Sequence, residues 1–231
     1  MRSRGPQTRI GISGWRYAPW RRDFYPAGLP QREELAYASR QLNTIEINGS
    51  FYSLQRPESY ARWYAETPAD FRFSVKGSRF ITHNKKLGDV EVPLANFLAS
   101  GVLLLKEKLG PFLWQLAPAT RYRPERIEEF FALLPKTTEG ALRLARRHDS
   151  RVEGRSWLGP TRNRALRHVI EPRHESFFVP GFAAACRNGR SWRSPAAGSI
   201  PSRSTAPSTR CSGRSRMPGG TRTRPPTSSF R

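Results

Sequence analysis

The stretch that decides the fold is Asn43 to Gln55, "NTIEINGSFYSLQ". It opens as a short alternating strand, with Ile45 and Ile47 on one face and Thr44, Glu46 and Asn48 on the other. An ionised carboxylate facing an interior is costly unless other groups solvate or pair it. The strand therefore requires apolar cover on one side and polar partners on the other.

The flanking sequence supplies both. "RIGISGW" (9–15) reads as a first strand ending in a Gly-Trp turn, and "FRFSVK" (71–76) as a third, with Phe71, Phe73 and Val75 alternating against Arg72, Ser74 and Lys76. "FLWQLAP" (112–118) reads as a fourth strand and "RHVIEPRH" (167–174) as a fifth. Helical patterns lie between them. Leu35, Ala38 and Leu42 recur at helical spacing over 31–42, and 57–67 carries a proline in its first turn. The stretch 93–110 reads as one helix closed by Gly110, followed by helices over 123–136 and 138–148 and another beginning within 177–189. Strand and helix alternate, which predicts a parallel α/β fold. A doubly wound open sheet is apolar on both faces. Strands with one polar face suit a (βα) barrel, where inward side chains at the strand C-termini form the site.

That geometry selects Ser13, Glu46, Asn48, Lys76, Gln115, Glu171 and Arg173 as inward residues at C-terminal strand ends. Carboxylates, cations and amides meeting at a barrel mouth are suited to catalysis. The alternative is an internal salt-bridge cluster that only fills a polar lumen. "GWRYAPW" (14–20) reads either as an aromatic lid over the mouth or as core, and "THNKKL" (82–87) as an anion-binding or a solvated loop. His83 with Glu46 and Glu171 could ligate a metal, but no compact ligand spacing supports one, so no metal is assigned and the cofactor is left open. His148, His168 and His174 are read as structural.

The segments "GISGWRYAPWRRDFYPAGLP", "ELAYASRQLNTIEINGSFYSL", "FRFSVKGSRFITHNKKL", "LGPFLWQLAP" and "EPRHESF" resemble, in order, the successive motifs of the YecE-like family, domain of unknown function 72. The resemblance runs over about residues 9–189 and implies a TIM-barrel-like fold, with no settled activity. It matches at Gly14, Trp15, Tyr17, Trp20, Phe24, Tyr25, Pro26, Glu46, Asn48, Phe51, Tyr52, Lys76, Thr82, His83, Gln115, Glu171 and Arg173. Gly49 departs from it, since Ser, Ala or Thr is more usual there. Together these readings nominate Glu46, Lys76 and Glu171 as catalytic, and Ser13, Trp15, Asn48, Tyr52, His83, Gln115 and Arg173 as substrate-binding.

The chain has 231 residues and a net charge of +22, with two regimes. From Arg187 onward there are ten arginines and no Asp, Glu or Lys; removing those ten leaves +12 on the first 186 residues. Residues 190–231 are rich in Arg, Ser and Pro and too poor in apolar residues to offset ordering entropy, so a disordered tail is expected, as for residues 1–8. "RSWRSP" (190–195), written in GC-rich codons and read two bases later, gives Val-Val-Ala-Val-Ala, a plausible buried strand. A frameshift near Asn188 is therefore expected, leaving an incomplete barrel of about five strands over 9–189. An evolved arginine-rich arm for nucleic acid is the rival reading. No signal peptide or membrane-spanning run is visible, and Cys186 and Cys211 form no framework, so a cytoplasmic location is expected. The function expected is that of a truncated member of the family whose full-length relatives act on a small polar or anionic metabolite. The alternative is a non-catalytic ligand-binding protein, or a nucleic-acid binder that uses the tail weakly and without sequence preference.

Overall fold

Strand β1 (Gly11–Ser13) pairs with β2 (Thr44–Ile47), which keeps the alternation of its sequence: Ile45 and Ile47 are fully buried, Thr44 and Glu46 only partly. The pattern repeats in β3 (Arg72–Lys76) with Phe73 and Val75 buried, in β4 (Leu109–Gln115) with Phe112 and Trp114, and in β5 (His168–Glu171) with His168 and Ile170. The structure, a computed structural model, describes residues 8–188. The expectations for the N-terminal segment to residue 7 and for the tail from 189 fall outside the described residues.

All neighbouring strands are parallel, in the order β1-β2-β3-β4-β5. Each strand lies beside its sequence neighbours. That is the winding of a (βα) barrel, whereas a doubly wound sheet reverses direction at a switch point. Among the described residues the fold is thus an incomplete TIM-like α/β barrel of five strands. Its helices are α1 (Glu34–Gln41), α2 (Gly49–Tyr52), α3 (Pro57–Glu66), α4 (Glu91–Ala99), α5 (Pro124–Leu133), α6 (Thr138–Ala145) and α7 (Pro180–Asn188). The buried strand residues join Leu35, Tyr60, Trp63, Phe97, Phe130 and Phe182 in one core under the helices. Each large apolar side chain so buried contributes about 1.5–3 kcal/mol. The other face of the sheet, with Thr44, Glu46, Ser74, Lys76, Gln115 and Glu171, stays partly open.

One expected helix is two pieces. The stretch 93–110 breaks after α4, where Gly101 adopts φ +101°, and continues as a 3-10 segment over Val102–Lys108. A Cβ on Gly101 would lie 2.6 Å from Pro57 Cα, so the turn requires glycine twice over. Gly110 does not close a helix; it lies inside β4. There the β3–β4 register slips between Phe73 and Val75, a bulge that seats Pro111 without demanding an N–H from it.

Two buried polar side chains hold the elements in place. Lys108 is only 4% exposed, and its Nζ donates to Tyr64 O and Thr67 O, each at 2.6 Å, and to Thr67 Oγ1 at 3.2 Å. It therefore satisfies carbonyls at the C-terminal end of α3 with a cation, the charge that end favours. His168 lies under β5, accepting from Trp114 Nε1 at Nδ1 (3.2 Å) and donating from Nε2 to Pro135 O (2.8 Å). That pattern requires the neutral ring, and burial lowers its pKa to about 4.

Candidate functional site

The carboxylate that posed the problem in β2 is held from both sides. Ser13 stands opposite Glu46 across the β1–β2 ladder, and its Oγ donates to Glu46 Oε1 at 2.8 Å. Lys76, at the end of β3, brings Nζ to 3.9 Å from the same oxygen, with side chains 12% and 17% exposed for Lys76 and Glu46. Glu46 Oε2 makes no hydrogen bond among the described residues. One oxygen is anchored and the other is not.

Phe51, on α2, extends this group. Lys76 Nζ lies 4.9 Å from its ring centroid, a cation–π contact, and His83 packs edge-on against the same ring at 5.1 Å. Ser50 Oγ fixes the approach of α2, lying 2.9 Å from Ile47 O and 2.6 Å from Lys76 O. His83 Nδ1 is 2.9 Å from Thr82 Oγ1. Burial, then the positive charges of Arg79, Arg173 and Lys76, lower the His83 pKa.

Glu171 belongs to a second group. Its register partner Gln115 donates from Nε2 to both carboxylate oxygens, at 3.1 and 3.0 Å, and Arg173 Nε donates to Oε1 at 2.9 Å. Arg173 follows the strand rather than belonging to it, since β5 ends at Glu171, and its side chain is half-exposed. No hydrogen bond or ion pair among the described residues joins Glu171 to Glu46 or Lys76. His83 lies within the electrostatic reach of both Lys76 and Arg173.

The third group is an aromatic cleft of about 260 Å³. Trp15 and Tyr17 line it from the turn after β1, Asn48 from the turn after β2, Tyr52 from α2 and Trp63 from α3. Trp15 and Trp63 meet edge to face at 5.2 Å. Strand alternation had placed Asn48 beside Glu46. The strand stops at Ile47, however, and Asn48 is already in helical backbone (φ −87°, ψ −22°) ahead of α2, so it faces this cleft instead. Its Oδ1 is buried with no hydrogen-bond partner. The residues expected to share one pocket thus form three adjoining groups. Among the described residues, no three His, Cys, Asp or Glu side chains gather as a metal would need, which leaves the His83–Glu46–Glu171 option without a cluster. Phe51 was passed over as a site residue, because an aromatic beside a polar cluster reads as core until its neighbours are known.

The comparisons with known proteins agree with this frame. The family described as "Protein of unknown function DUF72" matches residues 9–195. The UPF0759 protein YecE of Escherichia coli K12 is 32% identical over 111 residues, covering 48% of this chain and 38% of that protein. The UPF0759 protein YunF of Bacillus subtilis 168 is 29% identical over 77 residues, 33% of this chain and 26% of that one. Among solved structures, a DUF72 family protein of Thermotoga maritima MSB8 superposes with a TM-score of 0.55 at 21% identity, covering 79% of this chain and 62% of that one. One from Enterococcus faecalis V583 gives 0.52 at 18%, covering 79% and 58%. The chain spans less than two thirds of these relatives' length. With the family match running nearly the whole length of the described sheet and its helices, this chain belongs to the YecE-like DUF72 family.

Proposed function

We propose that this chain carries part of an active site for a small polar, anionic metabolite, with Glu46 as the acid–base group. The observation that carries the reading is the half-anchored carboxylate. Ser13 and Lys76 both engage Oε1, which fixes the side chain and leaves Oε2 to exchange a proton with a ligand. Lys76 would neutralise negative charge on the ligand. Gln115 and Glu171 on the next strands, with Arg173 just after β5, form a preorganised polar wall, and Asn48, with its unpaired carbonyl oxygen, would accept a donor from the ligand beside Trp15 and Tyr52. His83, packed on the same Phe51 ring as Lys76, adds a second proton-exchanging group.

The test is a screen of pooled metabolites against the full chain and the Thermotoga maritima relative, followed by the Glu46→Gln substitution. Glu46→Gln keeps the shape and removes the proton site, so turnover should fall by about two orders of magnitude or more while ligand binding persists. A ligand that binds without turnover in the parent protein would overturn the catalytic reading in favour of a binding protein.

A further inference from the structure

A second cleft, separate from the three groups above, has the opposite chemistry from the aromatic one. It encloses about 360 Å³ between the loop after β3, the loop after β4 and the first turn of α5. Lys85 and Lys86 line it from the first loop, and Thr120, Arg121 and Arg123 from the second, with Arg126 on α5. No acidic side chain lines it. None of its five cations forms an ion pair or a side-chain hydrogen bond among the described residues. Elsewhere on the described surface, arginines pair readily, as Arg143 does with Glu139 and Arg151 with Asp149. Five uncompensated positive charges around one concavity repel each other and raise the potential inside it.

Two features show that this is more than a basic surface. Thr120 is 8% exposed, lines the cleft, and has its Oγ1 sealed from solvent without a hydrogen-bond partner. A buried hydroxyl without a partner is uncommon and asks for an acceptor or donor from outside the chain. The loop from β3 is also tightly built: Leu87 is buried at φ +69°, its N donating to Ile81 O at 3.0 Å. Arg126 packs directly over Gly88, where an added Cβ would fall 1.5 Å from Nη1, so glycine there makes room for the guanidinium. The N-terminus of α5, a ten-residue helix starting at Pro124, adds its unpaired N–H groups and positive dipole end at the same place.

We propose that this cleft is a binding site for the phosphate group of a small phosphorylated ligand, a phosphomonoester or a diphosphate. Arginines at several angles, a hydroxyl donor and a helix N-terminus together complement an oxyanion of two or more charges better than a single carboxylate. A volume of about 360 Å³ is in the range of small-molecule sites. The proposal stands independently of the role given to Glu46.

Inorganic pyrophosphate is the probe, titrated calorimetrically into the full chain at physiological salt. Arg126→Gln and Arg121→Gln should each weaken its binding by about tenfold or more, and Thr120→Val should weaken it measurably. Arg40→Gln, an equal loss of charge outside the cleft, should leave it within about twofold. If Arg126→Gln fails to fold, Arg121→Gln and Lys86→Gln decide. Pyrophosphate binding that ignores the cleft substitutions would overturn the proposal and assign the affinity to arginines elsewhere. Preferential binding of duplex DNA over pyrophosphate, lost on the same substitutions, would overturn it in favour of a nucleic-acid surface.

Discussion

At the scale of single residues, burial decides which groups titrate. His168 is neutral when folded, with its pKa lowered to about 4, whereas an unfolded histidine titrates near 6.5. Its contribution is fully present above about pH 6.5 and is lost as pH falls towards 4, because only the unfolded chain takes up the proton in that window; the loss reaches about 3 kcal/mol. Urea unfolding from pH 7 to pH 4, with the His168 ring followed by NMR, checks this, and a ring titrating near 6.5 would contradict it. Lys108 makes a different prediction. Lys108→Met keeps the stem but leaves Tyr64 O and Thr67 O without their buried donor, so stability should drop by about 1–3 kcal/mol. Equilibrium denaturation measures it, and an unchanged midpoint would show that water replaces the ammonium. Much of the Glu46 setting was legible from alternation alone: Ser13, Glu46 and Lys76 share a face, and the structure brings them together. Asn48 was misplaced because alternation says nothing about where a strand ends. The cations of the second cleft were not singled out together because they come from separate loops, and nothing in sequence shows that Arg121, Arg123 and Arg126 converge on Lys85 and Lys86.

At the scale of elements, the strands and most helices follow from periodicity, with ends moving by a few residues. The failure lies in 93–110, where apolar residues are so dense that helical periodicity has no polar face to contrast with. Gly101 then reads as a tolerated interruption, and Gly110 as the stop. The physical answer is the reverse: Gly101 turns the chain through positive φ against Pro57, and Gly110 lies beside the bulge of β4. Gly101→Ala should therefore cost about 1–3 kcal/mol, since it meets both backbone strain and a contact with α3. Thermal unfolding monitors the change. Gly28→Ala is a useful control, because that position also has positive φ but nothing lies within 4 Å of the added carbon.

At the scale of the whole molecule, β1 and β5 are the outer strands of the sheet among the described residues, each hydrogen-bonded to one neighbour. Unpaired strand edges template association. The chain should self-associate as its concentration rises over roughly 1–100 µM, read by sedimentation velocity, and a single monomer boundary throughout would refute this. The charge regimes make a further prediction. The ten arginines from Arg187 onward, with no acid among them, should confer weak nucleic-acid binding that falls steeply with salt and shows no sequence preference. Titration of the full chain against residues 1–189 at two salt concentrations tests it; tight, sequence-selective binding at physiological salt, confined to the full chain, would reveal an evolved arm. No helix among the described residues is long and apolar enough to cross a membrane.

The strictly consecutive strand order carries a consequence in time. Among the described residues, each strand after β1 pairs with the one made just before it, and the crossover helix is synthesised in between. On a ribosome, each new βα unit can dock on the finished ones as soon as it emerges, without waiting for a distant partner. This order permits vectorial folding, in which the sheet extends one unit at a time. Barrel closure, by contrast, joins the first strand to the last and is available only at the end of synthesis. Stalled or shortened chains of this architecture would therefore carry an ordered sheet with an open seam, and a chaperone that covers strand edges would meet them at β1 first.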